Sequence, residues 1–143
     1  MEEAFLDTNV LVRHFVYDPV LSHSATKCLE AIAGGKLRVW TTMLVVFETV
    51  FTLERSYDVP REDIRRHLLT TLQLPNLRLA GKSYLPEVFE LYINKGISFA
   101  DAFHAVEMVR RGTTNVISFD KDFDRVGGLQ RLDPRGLLRD KAA

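Results

Sequence analysis

Short apolar runs alternate along this chain with longer amphipathic stretches, and that alternation restricts the fold more than any other feature. Repeated strand-then-helix patterning is the signature of a mainly parallel sheet covered by helices on both faces. Residues 3–7 give the first strand, 37–41 the second, 77–80 a short third and 115–119 a fourth. A fifth edge strand around Gln130, Arg131 and Leu132 carries a weaker signal. Between them, a short helix starts at Thr8 or Asn9 and reaches Phe15. A second runs from near Pro19 to Ala33, where Gly34 and Gly35 stop it. The pattern continues with a long helix from about Thr42 to Ser56. Another is opened by Pro60 with Glu62 and Asp63 in its first turn, and the two form a helical hairpin. Helices near 84–95 and 98–111 end at Gly96 and Gly112.

At 143 residues and 46% hydrophobic, the chain suits one domain, residues 1–143, with a single sizeable core and a polar tail from about residue 134. No run approaches the roughly 20 apolar residues of a membrane span, and the N-terminus lacks a basic segment followed by an apolar stretch and a cleavage site. A cytoplasmic protein is therefore expected. The single cysteine, Cys28, has no intrachain disulfide partner and reads as a small core residue. No Cys/His cluster has zinc spacing.

Four acids stand apart from the rest. Asp7 closes the apolar run Ala4-Phe5-Leu6, and Asp120 closes Asn115-Val116-Ile117-Ser118-Phe119. Glu48 and Asp101 interrupt the apolar helical stretches 44–51 and 99–103. In an open parallel sheet, functional groups gather beyond the carboxyl ends of the strands, which is where Asp7 and Asp120 fall. Glu48 shares a helical face with Leu44, Val45, Phe51 and Thr52, a face expected to point at the sheet. Glu54 and Glu62 sit among charged neighbours and read as solvated. Four carboxylates brought together raise one another's pKa, a conflict that a divalent cation removes. An all-oxygen set suits Mg²⁺ or Mn²⁺, one or two ions, and the implied chemistry is in-line phosphodiester hydrolysis. Net charge is zero, but setting aside the four acids leaves 15 acidic against 19 basic residues, so a polyanionic substrate is not excluded.

Each acid also has a plainer reading. Ser98 and Asp101 have the spacing of a capping box, which is compatible with metal binding because a helix N-terminus favours an ionised carboxylate. Glu48 could be a buried acid paired with an arginine. His104, three residues after Asp101, is within reach to donate a proton, but its neighbours Phe103, Ala105 and Val106 favour a packed structural histidine.

The ordered set Phe5-Leu6-Asp7-Thr8-Asn9-Val10-Leu11, Glu48, Ala100-Asp101-Ala102-Phe103-His104-Ala105 and Ser118-Phe119-Asp120-Lys121-Asp122-Phe123 resembles the PIN-domain family, most closely its VapC-type toxins. The resemblance implies a three-layer α/β/α sandwich with a four- to five-stranded sheet of order 3-2-1-4-5. It also implies a metal-dependent endoribonuclease acting on RNA, a cognate antitoxin as partner, and a homodimer. Asp7, Glu48, Asp101 and Asp120 match the family's acidic positions, with Asn9 and Ser118 as supporting polar residues. Asp124 is a second choice, after Asp120, for completing a metal site, and Asp122 reads as a loop or helix-start acid.

Lys121, Arg125 and Arg13 divide evenly between phosphate contacts and solvated charges. Arg135, Arg139 and Lys141 in the tail read first as a solvated terminus and second as contacts to RNA. The run from Arg61 to His67 reads as a solvated helix face. Apolar residues Val10, Leu11, Val12, Phe15, Val16, Leu68, Leu69 and Leu72 exceed one core-facing stripe, and a partner groove or dimer surface would use the surplus. A non-catalytic module binding RNA or protein is the alternative function. A phosphoryl-transfer or receiver domain lacks support, since no Asp-x-Asp follows the first strand and there is no glycine-rich phosphate loop.

Overall fold

The computed structural model describes residues 2–137. The strands are short: β1 (Ala4–Phe5), β2 (Val39–Thr41), β3 (Leu77–Leu79), β4 (Asn115–Ile117) and β5 (Gln130–Leu132). Six α-helices lie between them: α1 (Thr8–Phe15), α2 (Ser22–Ala33), α3 (Met43–Arg55), α4 (Arg61–Leu72), α5 (Leu85–Asn94) and α6 (Phe99–Arg110). Short 3₁₀ turns occupy Lys82–Tyr84 and Lys121–Arg125. The chain forms two compact units, which divide between Leu85 and Pro86.

In the first unit β1, β2 and β3 pair in parallel in that order, with Ala4 opposite Val39 and Val39 opposite Leu77. The buried Thr41 hydroxyl donates to the Leu6 carbonyl at 2.8 Å, tying the chain beyond β1 to the end of β2. Leu11 and Val12 of α1, Leu29 and Ile32 of α2, Val46, Val50 and Leu53 of α3, and Ile64, Leu68 and Leu72 of α4 make up the core with Leu77. Leu11, Val12, Leu68 and Leu72, part of the apolar surplus of the sequence, are thus core residues, while Val10, Phe15, Val16 and Leu69 are half-buried. Between α1 and the start of α2, Tyr17, Val20 and Leu21 are exposed instead.

Helix ends follow local chemistry. Thr42 caps α3 by accepting from the Val45 N–H at 3.3 Å. The helix expected from near Pro19 begins at Ser22, because Asp18 organises the preceding turn. Its carboxylate accepts from the Val20 and Leu21 N–H groups at 2.9 and 2.8 Å. Glu54 meets Arg61 at 2.7 Å across the α3–α4 turn, with both side chains about 30% exposed, so this acid pins the hairpin rather than standing free in solvent. The charged run opening α4 pairs on its own surface, Glu62 with Arg65 and Asp63 with Arg66.

In the second unit β4 and β5 pair in parallel, Asn115 opposite Gln130 and Ile117 opposite Leu132, which places the weakly signalled fifth strand in the fold. Both pairing sets are segments of the order 3-2-1-4-5. Phe89, Tyr92 and Phe99 form a fully or almost fully buried aromatic cluster with ring centroids 5.4–6.1 Å apart. The α6 helix ends at Gly112, whose φ of 77° is a left-handed conformation that a side chain disfavours. Residues 134–137 of the polar tail are helical, and the rest, including Arg139 and Lys141, lies outside the described residues. No helix among the described residues is long and apolar enough to cross a membrane.

Candidate metal centre

Asp101 is the third residue of α6, and Ser98 caps that helix by accepting from the Asp101 N–H at 3.1 Å. The N-cap half of the capping box read from the sequence is present, and it sets the backbone from which the Asp101 carboxylate projects. Asp120 follows β4 by three residues. The Ser118 hydroxyl accepts from the Asp120 N–H at 2.9 Å, and the Asp120 carboxylate accepts from the Asp122 N–H at 2.9 Å, so the loop is folded by its own polar groups. These turns bring one carboxylate oxygen each from Asp101, Asp120 and Asp122 within 4.8 Å of one another. That span fits one oxygen-ligated cation, whose opposite ligands stand about 4–5 Å apart. Burial first, then the charge of Asp120, push the Asp101 pKa up; a hydrogen bond with Asp120 and the charge of Asp122 add to this, while Ser98 works against it. A cation would relieve the like-charge conflict that the rise reflects.

In the first unit, Asp7 is the exposed N-cap residue of α1, in an extended conformation with no side-chain cap bond. Its carboxylate is not spent on the helix it precedes. The Thr8 hydroxyl donates to Glu48 Oε2 at 3.0 Å, linking the residue after Asp7 to the middle of α3. Glu48 is exposed, and the expected sheet-facing surface is not where α3 buries: Leu44 is 65% and Phe51 52% exposed. The buried stripe is Val45, Val46, Thr49, Val50 and Leu53, rotated away from Glu48, so this glutamate is not a core acid, and among the described residues no arginine pairs with it.

Comparison with known proteins bears on this arrangement. The PIN domain profile matches residues 4–129. This chain belongs to the PIN domain family. A VapC ribonuclease of Aquifex aeolicus (strain VF5) is 25% identical over 122 residues, covering 85% of this chain and 90% of that protein.

Several residues in both units stand differently from their sequence reading. Asp124 is engaged by Arg131, whose Nε and Nη2 donate to its two oxygens at 3.1 and 3.3 Å; the same arginine donates to the Ser118 carbonyl. The acid that meets Asp101 and Asp120 is Asp122, not singled out by its spacing except as the second aspartate of Asp120-Lys121-Asp122. Arg125 approaches Asp122 at 3.8 Å. His104 is exposed and lines a groove of about 510 Å³ with Asp101, Met108, Arg111 and Ser118. Its apolar neighbours do not bury it because Ala102, Ala105 and Val106 form the packed side of α6, while Asp101, His104, Met108 and Arg111 follow one another along another side. In the PIN motif after β1, the hydroxyl of Thr8, rather than the Asn9 amide, meets the glutamate; Asn9 is exposed. Arg13 donates to the Tyr57 hydroxyl at 3.1 Å.

Proposed function

We propose that this PIN domain is a divalent-metal-dependent endoribonuclease, the toxin of a toxin–antitoxin pair, that uses one or two Mg²⁺ or Mn²⁺ ions, with Asp7, Glu48, Asp101 and Asp120 as its catalytic, metal-holding carboxylates. The reading rests above all on the convergence of Asp101, Asp120 and Asp122, in a chain similar along most of its length to a VapC ribonuclease. A hard divalent cation held by these carboxylates would supply water acidification and positive charge for phosphodiester hydrolysis. The residues of the chain do the rest. Asp101 and Asp120 present carboxylate oxygens from a capped helix and a self-bonded loop, Ser98 and Ser118 hold those backbones, and Thr8 orients Glu48. Asp122 adds a third carboxylate beside Asp101 and Asp120, and Asp124 serves as a salt-bridged support for Arg131. Lys121 and Arg125, on the 3₁₀ turn that follows Asp120, offer cations to the substrate backbone.

The same reading takes the protein to be cytoplasmic and homodimeric, with an antitoxin covering it when silent. Exposed Tyr17, Val20 and Leu21 suit such a partner. The test is incubation of antitoxin-free protein with a mixed structured-RNA pool and Mg²⁺ or Mn²⁺, beside chelator and a folded Asp7→Asn variant. Cuts at defined sites leaving 5′-phosphate and 3′-hydroxyl ends are expected. Chelator should abolish them, and Asp7→Asn should slow them by about 100-fold or more. Intact RNA with metal-bound protein, or an Asp7→Asn variant as fast as wild type, contradicts the proposal. RNA binding that survives both controls without cleavage points to a non-catalytic binding module.

A further inference from the structure

We propose that Phe119 and Arg135 form a stacking platform for a nucleobase of single-stranded RNA beside the bond to be cut; the inference rests on the endoribonuclease reading and names a specificity element for it. Phe119 lies between β4 and Asp120, so its Cα is one step of about 3.8 Å from that of a carboxylate in the acidic cluster. Its side chain is 64% exposed, so the ring face is open to solvent. The Arg135 guanidinium lies 5.7 Å from the ring centroid. That guanidinium is fixed in turn: Arg135 Nε donates to Asp133 Oδ1 at 3.0 Å, and the Arg135 backbone N–H donates to the same oxygen at 2.8 Å.

An aromatic face joined to a guanidinium plane is the surface on which unpaired bases stack, and its affinity is largely independent of base identity because every base has a π-face. Position selects RNA over a protein partner as the occupant. Phe119 directly precedes Asp120, an acid of the cluster, in the chain, and the charge its ring is stacked with among the described contacts is the Arg135 guanidinium, itself paired with Asp133. A base seated here belongs to a nucleotide flanking the scissile phosphate, so the platform would favour unpaired over helical RNA at the cut.

The test compares steady-state cleavage by wild type, Phe119→Ala and Phe119→Trp on an RNA the wild type cuts, and on the same RNA made abasic at either nucleotide flanking the cut. Phe119→Ala is expected to raise KM about tenfold with kcat within about twofold of wild type, and Phe119→Trp to restore KM. One of the two abasic RNAs should cost the wild type the same factor and cost Phe119→Ala nothing further. A Phe119→Ala variant with wild-type KM, or abasic losses that multiply with it at both positions, overturns the platform. If KM is unchanged and the variant instead loses self-association in sedimentation, the ring belongs to a contact between copies and the platform is overturned. A wild type that cuts no RNA overturns the nuclease reading itself, which separates the two failures.

Discussion

Asp101 sits in the first turn of a helix, where free N–H groups favour its charge, yet burial and the nearby Asp120 and Asp122 carboxylates outweigh that help and raise its pKa. The folded chain therefore binds the Asp101 proton more tightly than the unfolded chain does. Ionisation at neutral pH is a cost of folding that grows as pH rises from the unfolded pKa through the folded one. Asp101→Asn removes the cost, and because the group is partly exposed the gain is small, about 0.5 kcal/mol or roughly 2 °C in Tm of the metal-free protein. The expected pattern in thermal melts is a higher Tm than wild type without metal and a smaller rise on adding Mn²⁺. An Asp101→Asn variant that melts lower than wild type without metal would contradict this. Asp101 was legible in sequence because Ser98-Phe99-Ala100-Asp101 carries a local cap rule. Asp122 and Thr8 were not. One joins its partners through a 3₁₀ turn, and the other through a hydrogen bond spanning 40 residues, and neither leaves a spacing that a linear pattern reveals.

Among the elements, α1 is held to its neighbours by a histidine with a pH-dependent role. His14 Nδ1 lies 2.9 Å from Thr26 Oγ1 of α2, and Phe15 beside it has its ring 5.8 Å from that of His67 on α4. Burial first, then the charge of His67, hold the His14 pKa below its ordinary 6.5, against a smaller opposing pull from Glu30. The fold thus favours the neutral ring. Its contribution is fully present above the unfolded pKa and is lost as pH falls through that value towards the lower folded one. Urea midpoints measured between about pH 7 and 5 should fall for wild type and fall less for His14→Gln; identical slopes would remove His14 from the explanation. Helix positions were readable because 3.6-residue periodicity and Gly or Pro punctuation are local signals. Which side of α3 is buried was not. With Leu44, Val45, Val46, Phe47, Val50 and Phe51 in one helix, apolar residues surround the axis, and only tertiary packing selects the Val46 and Val50 side over that of Leu44 and Phe51.

For the whole molecule, alternation of strand and helix was enough to anticipate parallel pairing, and the observed orders β1-β2-β3 and β4-β5 follow it. The family profile runs from residue 4 to 129 and so takes in parts of both compact units. Strand lengths were overestimated, since β1 keeps only Ala4 and Phe5 of an expected 3–7 and the chain has left the ladder before Asp7. The functional proposal gives a metal-holding role to Asp7 and Glu48 of the first unit and to Asp101 and Asp120 of the second. The most direct check is a calorimetric titration of Mn²⁺ into partner-free wild type, Asp7→Asn and Asp101→Asn, each shown to be folded. That role requires both substitutions to weaken Mn²⁺ binding by about tenfold or more. Asp7→Asn binding Mn²⁺ as tightly as wild type while Asp101→Asn does not would contradict it, leaving the acids of the second unit to act without Asp7.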